Sequence, residues 1–302
     1  MDLPQKWIDV GKRVQQSGGI VMVMGKPDMG KSTLIQYLLK CGLQQERRVA
    51  VVDADIGQAT FGPPSCLSLS FWTRPKDKEE KDPKGGDIHI EGNCNYKNLQ
   101  FIGALSPVGF LLQVVVGVKR LVDQALERGV DLVLVDTSGL VQGRTGFLLK
   151  KHKIELVRPN HLIVLERREE ELENILTGIP FPPGMIVSHV PRTPNTRPRS
   201  LEERRIYRAK QFSNYFQNSR ARWIYFSNQR KPLPGMHPFK GMLVGLLSKT
   251  GQTLGLGMIS RIGRKSLEVI TPLPTLTGVQ KVEPSVIGLG KDFLGKKDGK
   301  LN

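Results

Sequence analysis

The chain has 302 residues, 39% of them hydrophobic, which is enough for one large core or a core with a small satellite domain. No apolar run approaches the roughly 18 residues that span a bilayer, and Met1 to Lys6 lacks the apolar stretch of a signal peptide, so a cytoplasmic protein without membrane contact is expected. The net charge of +17 and a pI near 9.9 point instead to a polyanionic partner.

Residues 5–16 place Trp7, Val10 and Val14 at helical spacing, so a short helix leads into the first strand, Ile20 to Met24. There follows Gly25-Lys26-Pro27-Asp28-Met29-Gly30-Lys31-Ser32-Thr33, and then a segment with helical spacing, Leu34 to Leu43. Strand, glycine loop and helix in that order form the G-x-x-x-x-G-K-[ST] phosphate loop. Its glycines let backbone N–H groups turn inward on an anion, and the helix start adds about half a positive charge there. Lys31 is expected to reach the β- and γ-phosphates of a nucleoside triphosphate, and the Ser32 hydroxyl to ligate Mg²⁺.

Arg48 to Asp55 reads as a second buried strand with carboxylates at its C-terminal end, the edge where ligands sit in open α/β sheets. The turn Ile56-Gly57-Gln58 brings Gln58 toward the same crevice. Residues 72–98 read as a polar surface loop, partly mobile, and Leu99 to Gly103 as a third strand. Ser106-Pro107 has the form of an N-cap and first-turn proline for a long helix ending near Gly129. Asp131 to Asp136 is a fourth strand, running into Thr137-Ser138-Gly139-Leu140, and His161 to Leu165 is a fifth. Apolar strands alternating with helices predict a P-loop NTPase of the α/β class, its sheet mostly parallel and doubly wound.

From Pro180 the texture changes, and the stretch Pro191 to Pro198 is irregular. Ser200-Leu201-Glu202-Glu203 is a capping box that opens a helix carrying Arg204 and Arg208 on one face. Glycine-punctuated runs from Gly241, Thr253 and Ser266 predict a small C-terminal β domain, and the tail from Gly295 is expected to be disordered. The expected domains are therefore 1–230, with a lid at about 191–218, and 231–302. Cys41, Cys66 and Cys94 show no metal spacing and read as reduced structural thiols.

Between Arg192 and Lys240 stand 12 basic residues against Glu202 and Glu203, a local balance of +10. A merely solvated surface would spread that excess, so the stretch is read as phosphate-binding. Phosphoryl transfer needs a phosphate cradle, a metal, cations over the γ-phosphate and a base. Lys31 and Ser32 fill the first roles, with Ser32, Asp55 and Asp136 as the Mg²⁺ set. One of Asp55 and Asp136 orients the metal shell and the other accepts a hydroxyl proton. Arg204 and Arg208 are candidates to close over the γ-phosphate.

The phosphate loop, the turn Val52-Asp53-Ala54-Asp55-Ile56-Gly57-Gln58, and Thr137-Ser138-Gly139 together resemble the polynucleotide 5′-hydroxyl kinases. The run from Arg199 through Arg204 and Arg208 to Phe216 is similar to the arginine lid of that family. Gly241 to Leu246 is similar to its C-terminal β domain. The resemblance implies ATP and Mg²⁺ as cofactors, and RNA or DNA with a 5′-hydroxyl end as substrate. It implies that Asp55 is the general base, that Lys31, Arg204 and Arg208 act on the transferring phosphoryl, and that Gln58, Thr137, Ser138, Gly139, Leu140 and Arg199 meet the substrate. Leu140 stands where eukaryotic members carry tryptophan in T-x-G-W, and the separate N-terminal domain of those members is expected to be missing. Two alternatives stand beside this reading: a GTPase or ATPase switch, from Asp136-Thr137-Ser138-Gly139 as D-x-x-G, and a non-enzymatic nucleic-acid-binding module.

Overall fold

The computed structural model describes residues 3–73, 93–167, 172–193, 196–226 and 237–290, with backbone alone for 93–97. The chain falls into two compact units: Met1–Asp55, Leu67–Lys97 and Pro107–Arg199 form one, and Ile56–Cys66, Asn98–Ser106 and Ser200–Asn302 the other. The boundary expected near residue 230 lies outside the described residues, as do most of the polar loop and the tail expected to be disordered. The lid helix groups with the second unit.

The first unit opens with α1 (Gln5–Ser17), which buries Trp7, Val10 and Val14 as its spacing predicts. Then come β1 (Gly19–Gly25), α2 (Lys31–Gln44), β2 (Val49–Ala54), β3 (Cys66–Thr73) and the start of β4 (Asn93–Phe101). After them follow α3 (Leu111–Glu127), β5 (Leu132–Thr137), α4 (Gly143–Val157), β6 (His161–Glu166), α5 (Glu173–Leu176) and β7 (Ile186–Pro191). The sheet order is β3-β2-β5-β1-β6-β7, and every pair is parallel except β2 with β3. β2, β5 and β6 are buried at every residue, which is why they read as continuous apolar runs rather than alternating ones. The crossover through α2 steps toward β3, whereas those through α3 and α4 step the other way. Right-handed connections in opposite senses put these helices on opposite faces, the doubly wound arrangement.

Two local expectations are corrected. The helix predicted from Ser106-Pro107 starts at Leu111, because Phe110 N–H bonds back to Pro107 O and Gly109 takes φ +84°, closing a turn first. The predicted third strand is longer on its N-terminal side, running from Asn93 and stopping at Phe101. β3 and β7 add strands where none were expected.

The second unit takes in the end of β4, then α6 (Leu201–Tyr215), β8 (Arg220–Tyr225), β9 (Met242–Leu247), β10 (Thr253–Ile262), β11 (Ser266–Thr271) and β12 (Lys281–Gly288). Its strands lie in the order β12-β9-β10-β11-β8, antiparallel throughout. β9 is buried on both faces: Leu243 joins Phe212, Phe216 and Leu256 in one cluster, while Val244 and Leu246 join Ile259, Leu267 and Val269 in another. α6 begins with the predicted capping box, Ser200 Oγ accepting from Glu203 N–H and Glu203 accepting from Ser200 N–H. Its far end is pinned by Leu256 N–H donating to the Tyr215 hydroxyl at 2.8 Å. Among the described residues no helix is long and apolar enough to cross a membrane.

Candidate active site

β1 and α2 hold the phosphate loop at the C-terminal edge of the first unit's sheet. Gly30, immediately before α2, takes φ +89°, and Asp28 takes φ +57°, the left-handed turns that curl the loop. The loop is packed tightly: a Cβ on Gly139 would lie 2.7 Å from the Pro27 ring, and one on Gly25 2.8 Å from Leu165 O. Thr193 and Thr196 approach Gly30 from the segment after β7, and Arg199 N–H donates to the Asp28 carboxylate at 3.0 Å. Met29 is buried and anchors the loop, and Thr33 sits half-buried in α2. Lys31 Nζ donates to Lys26 O at 2.8 Å, so its ammonium lies across the loop.

Behind the loop stand the carboxylates. Asp53 and Asp136 are register partners on β2 and β5, both buried, with Ser32 Oγ donating to Asp136 Oδ2 at 2.6 Å. Burial pushes the Asp136 carboxyl up to about 6 and the nearby Asp55 charge adds to this, while Ser32, Lys31 and Lys150 pull it back. The other oxygen, Asp136 Oδ1, is buried without a hydrogen-bond partner among the described residues. A hydroxyl and a carboxylate with a spare buried lone pair, beside a cradle of backbone amides, are the oxygen donors that suit Mg²⁺ and a triphosphate. Asp55 differs from Asp136 in exposure. It is half-buried, and its N–H is capped by Asp53 Oδ1 at 3.0 Å.

α4 contributes two lysines that the sequence reading missed. Gly146, Leu149, Lys150, Lys153, Ile154 and Val157 form its buried face, so the lysines lie on the apolar stripe, and that spacing was the available signal. Lys150 Nζ donates to Thr137 Oγ1 at 2.9 Å and to Ser138 O at 2.6 Å, while Thr137 Oγ1 donates to Val23 O at 2.7 Å. The stretch Thr137-Ser138-Gly139-Leu140, which the resemblance makes a clasp on the substrate, is thereby tied to both α4 and β1. Burial, with Lys153 and Lys31 nearby, holds the Lys150 ammonium well below its ordinary range. Lys153 Nζ is buried without a hydrogen-bond partner among the described residues. Burial lowers it to about 8 against the pull of Asp55, Asp136 and Asp53.

Lys150 is expected to position the clasp rather than to stabilise the fold. Lys150→Met removes two hydrogen bonds worth about 1 kcal/mol each, but it also removes a desolvated charge, so net stability changes by no more than about 2 kcal/mol. Turnover should fall about 10–100-fold as the clasp loosens. Urea unfolding alongside steady-state kinetics checks both, and equal losses in the two would assign Lys150 to folding alone.

A cavity of about 450 Å³ opens beside Lys26, lined by Val141, Arg144, Phe147 and Asn174 among others. Within the first unit the structure thus brings together the loop, Asp55, Asp136, the clasp and Arg199. Gln58, whose side-chain amide donates to Gly57 O at 2.9 Å, belongs to the second unit. So do Arg204 and Arg208, neighbours on α6, where burial and then the Arg204 charge lower the Arg208 guanidinium from its ordinary value.

The family model described as mRNA cleavage and polyadenylation factor CLP1 P-loop matches residues 25–218. A polyribonucleotide 5′-hydroxyl-kinase of Methanocaldococcus jannaschii is 34% identical over 208 residues, covering 69% of this chain and 53% of that protein's length. Another of that name, from Pyrococcus furiosus, is 28% identical over 334 residues, covering 90% of this chain and 88% of its own. The solved wild-type Clp1p–Pcf11p complex contains a chain of the same fold, with a TM-score of 0.73 at 14% identity over 94% of this chain and 79% of that one. From its phosphate loop through its arginine helix, this chain belongs to the CLP1 P-loop family.

Proposed function

We propose that this protein is an ATP-dependent polynucleotide 5′-hydroxyl kinase that transfers the ATP γ-phosphate to the 5′ end of RNA, and of DNA where it is offered. The observation that supports the reading is the difference in setting between two carboxylates. Asp136 is buried and hydrogen-bonded to the loop serine, whereas Asp55 is half-exposed beside it. A purely structural nucleotide site has no use for the second. RNA is the substrate indicated by the names of the archaeal relatives.

In this reading the loop amides and Lys31 hold the phosphates in line, and Ser32, Asp136 and Asp55 would hold Mg²⁺. When bound, the metal neutralises charge on the phosphate oxygens. Asp55 takes the proton of the terminal 5′-hydroxyl as its oxygen bonds to the γ-phosphorus. The bond from that phosphorus to the β,γ-bridging oxygen breaks, and ADP leaves. The clasp Thr137 to Leu140, with Arg199, orients the strand end, the cavity beside Lys26 and Arg144 gives it room, and Gln58 is assigned to the substrate on the family resemblance. On the family resemblance, Arg204 and Arg208 are assigned to act on the transferring phosphoryl. The lid at about 191–218 and the small β domain beyond it are assigned on the family resemblance. Buried free thiols at Cys41 and Cys66 fit a reducing, cytoplasmic setting.

The test is transfer from labelled ATP, with Mg²⁺, to an oligoribonucleotide bearing a 5′-hydroxyl. Label on the oligonucleotide is expected, and should vanish with chelator or with a 5′-phosphorylated acceptor. Release of inorganic phosphate alone would favour the switch reading of Asp136-Thr137-Ser138-Gly139 and overturn the kinase.

A further inference from the structure

The second unit carries a feature with no part in the chemistry above. On β8, Trp223 and Tyr225 point to the same side and their rings stack, centroids 6.3 Å apart and planes 25° from parallel. Trp223 is 39% exposed and Tyr225 77% exposed, so neither ring is core. The opposite face of the strand does the structural work. Ile224 packs into the cluster of Leu267 and Val269, and Arg222 donates to Leu273 O at 3.0 Å. β8 pairs only with β11 among the described residues and is an edge strand there.

The surroundings of the pair are basic. Glu268 lies opposite Trp223 and Arg261 opposite Glu268, in contact with it at 3.5 Å. Arg264 stands in the turn between β10 and β11, and both it and Arg261 are exposed, whereas Arg220 at the start of β8 alternates to the other face. Glu268 offsets one of these charges and leaves the surface positive. Exposed aromatic faces flanked by guanidinium groups are the chemistry that receives unpaired bases and their phosphates, with little preference for sequence.

We propose that the Trp223–Tyr225 face of β8 is a second binding site for single-stranded RNA. It rests on the kinase reading only in naming nucleic acid as the occupant. A peptide adding to the edge of β8 would use backbone groups and would have no need of stacked rings among arginines.

The test uses the full chain, without ATP. Fluorescence anisotropy measures binding of a labelled, 5′-phosphorylated oligouridylate of about 15 nucleotides, near the upper end of single-strand site sizes. W223A/Y225A is expected to weaken binding about tenfold, while phosphorylation of a 5′-hydroxyl trinucleotide by the same variant stays within about twofold of wild type. Trp223→Phe should keep most of the affinity and Trp223→Leu should not, because only the former retains a π face. Unchanged affinity in the double variant overturns the proposal and leaves the strand edge to a protein partner. Equal behaviour of the Phe and Leu variants overturns it as well. If wild type fails to phosphorylate any 5′-hydroxyl yet the double variant still loses oligouridylate binding, the kinase reading falls and this site stands.

Discussion

Lys31→Ala is expected to lower turnover by at least about 10³-fold, with a smaller rise in KM for ATP. The ammonium is buried beneath the loop and donates to Lys26 O, so its position is fixed by the fold rather than recruited by substrate. A cation held there without reorganisation favours the transition state, in which charge moves toward the leaving oxygen, more than it favours bound ATP. Lys31→Met, which keeps the stem in its buried slot, should lose turnover to the same extent while unfolding at nearly the wild-type urea concentration. Turnover within about tenfold of wild type in either variant would remove Lys31 from the reaction.

Much of this site could be read before the fold was known, for a physical reason. The loop and the strands β1, β2, β5 and β6 are local patterns, since a strand buried on both faces must be a continuous apolar run. Their carboxylates fall at strand ends by the same logic. What was illegible depends on long-range packing. Lysine is usually a surface residue, so the residue type of Lys150 and Lys153 hides their place on the apolar stripe of α4. β3 buries Ser68 and Ser70 where the sequence looks polar, and β12 contains Pro284, which only an edge strand tolerates. The basic stretch was legible as a charge excess, but not as its parts. Arg222 is spent on holding β8 to the β domain, and Arg199 contributes its backbone N–H to the phosphate loop.

Asp55→Ala is expected to cost about 10³-fold in turnover while ATP affinity changes by less than about fivefold. The argument turns on which carboxylate a substrate hydroxyl can reach. Asp136 is fully buried, one oxygen engaged by Ser32, and its loss should appear as a higher Mg²⁺ requirement and weaker nucleotide binding. Asp55 is half-buried and its backbone N–H is held by Asp53, so on the proposed reading it would meet the incoming strand without being the main support of the metal. Lys153 of α4, whose charged form is favoured by Asp55, Asp136 and Asp53 against the cost of burial, offsets part of the negative charge at this edge of the sheet. Single-turnover transfer and nucleotide titration on both aspartate variants separate the roles. Near-normal transfer by Asp55→Ala, with the loss falling instead on Asp136→Ala at saturating Mg²⁺, would exchange base and metal ligand.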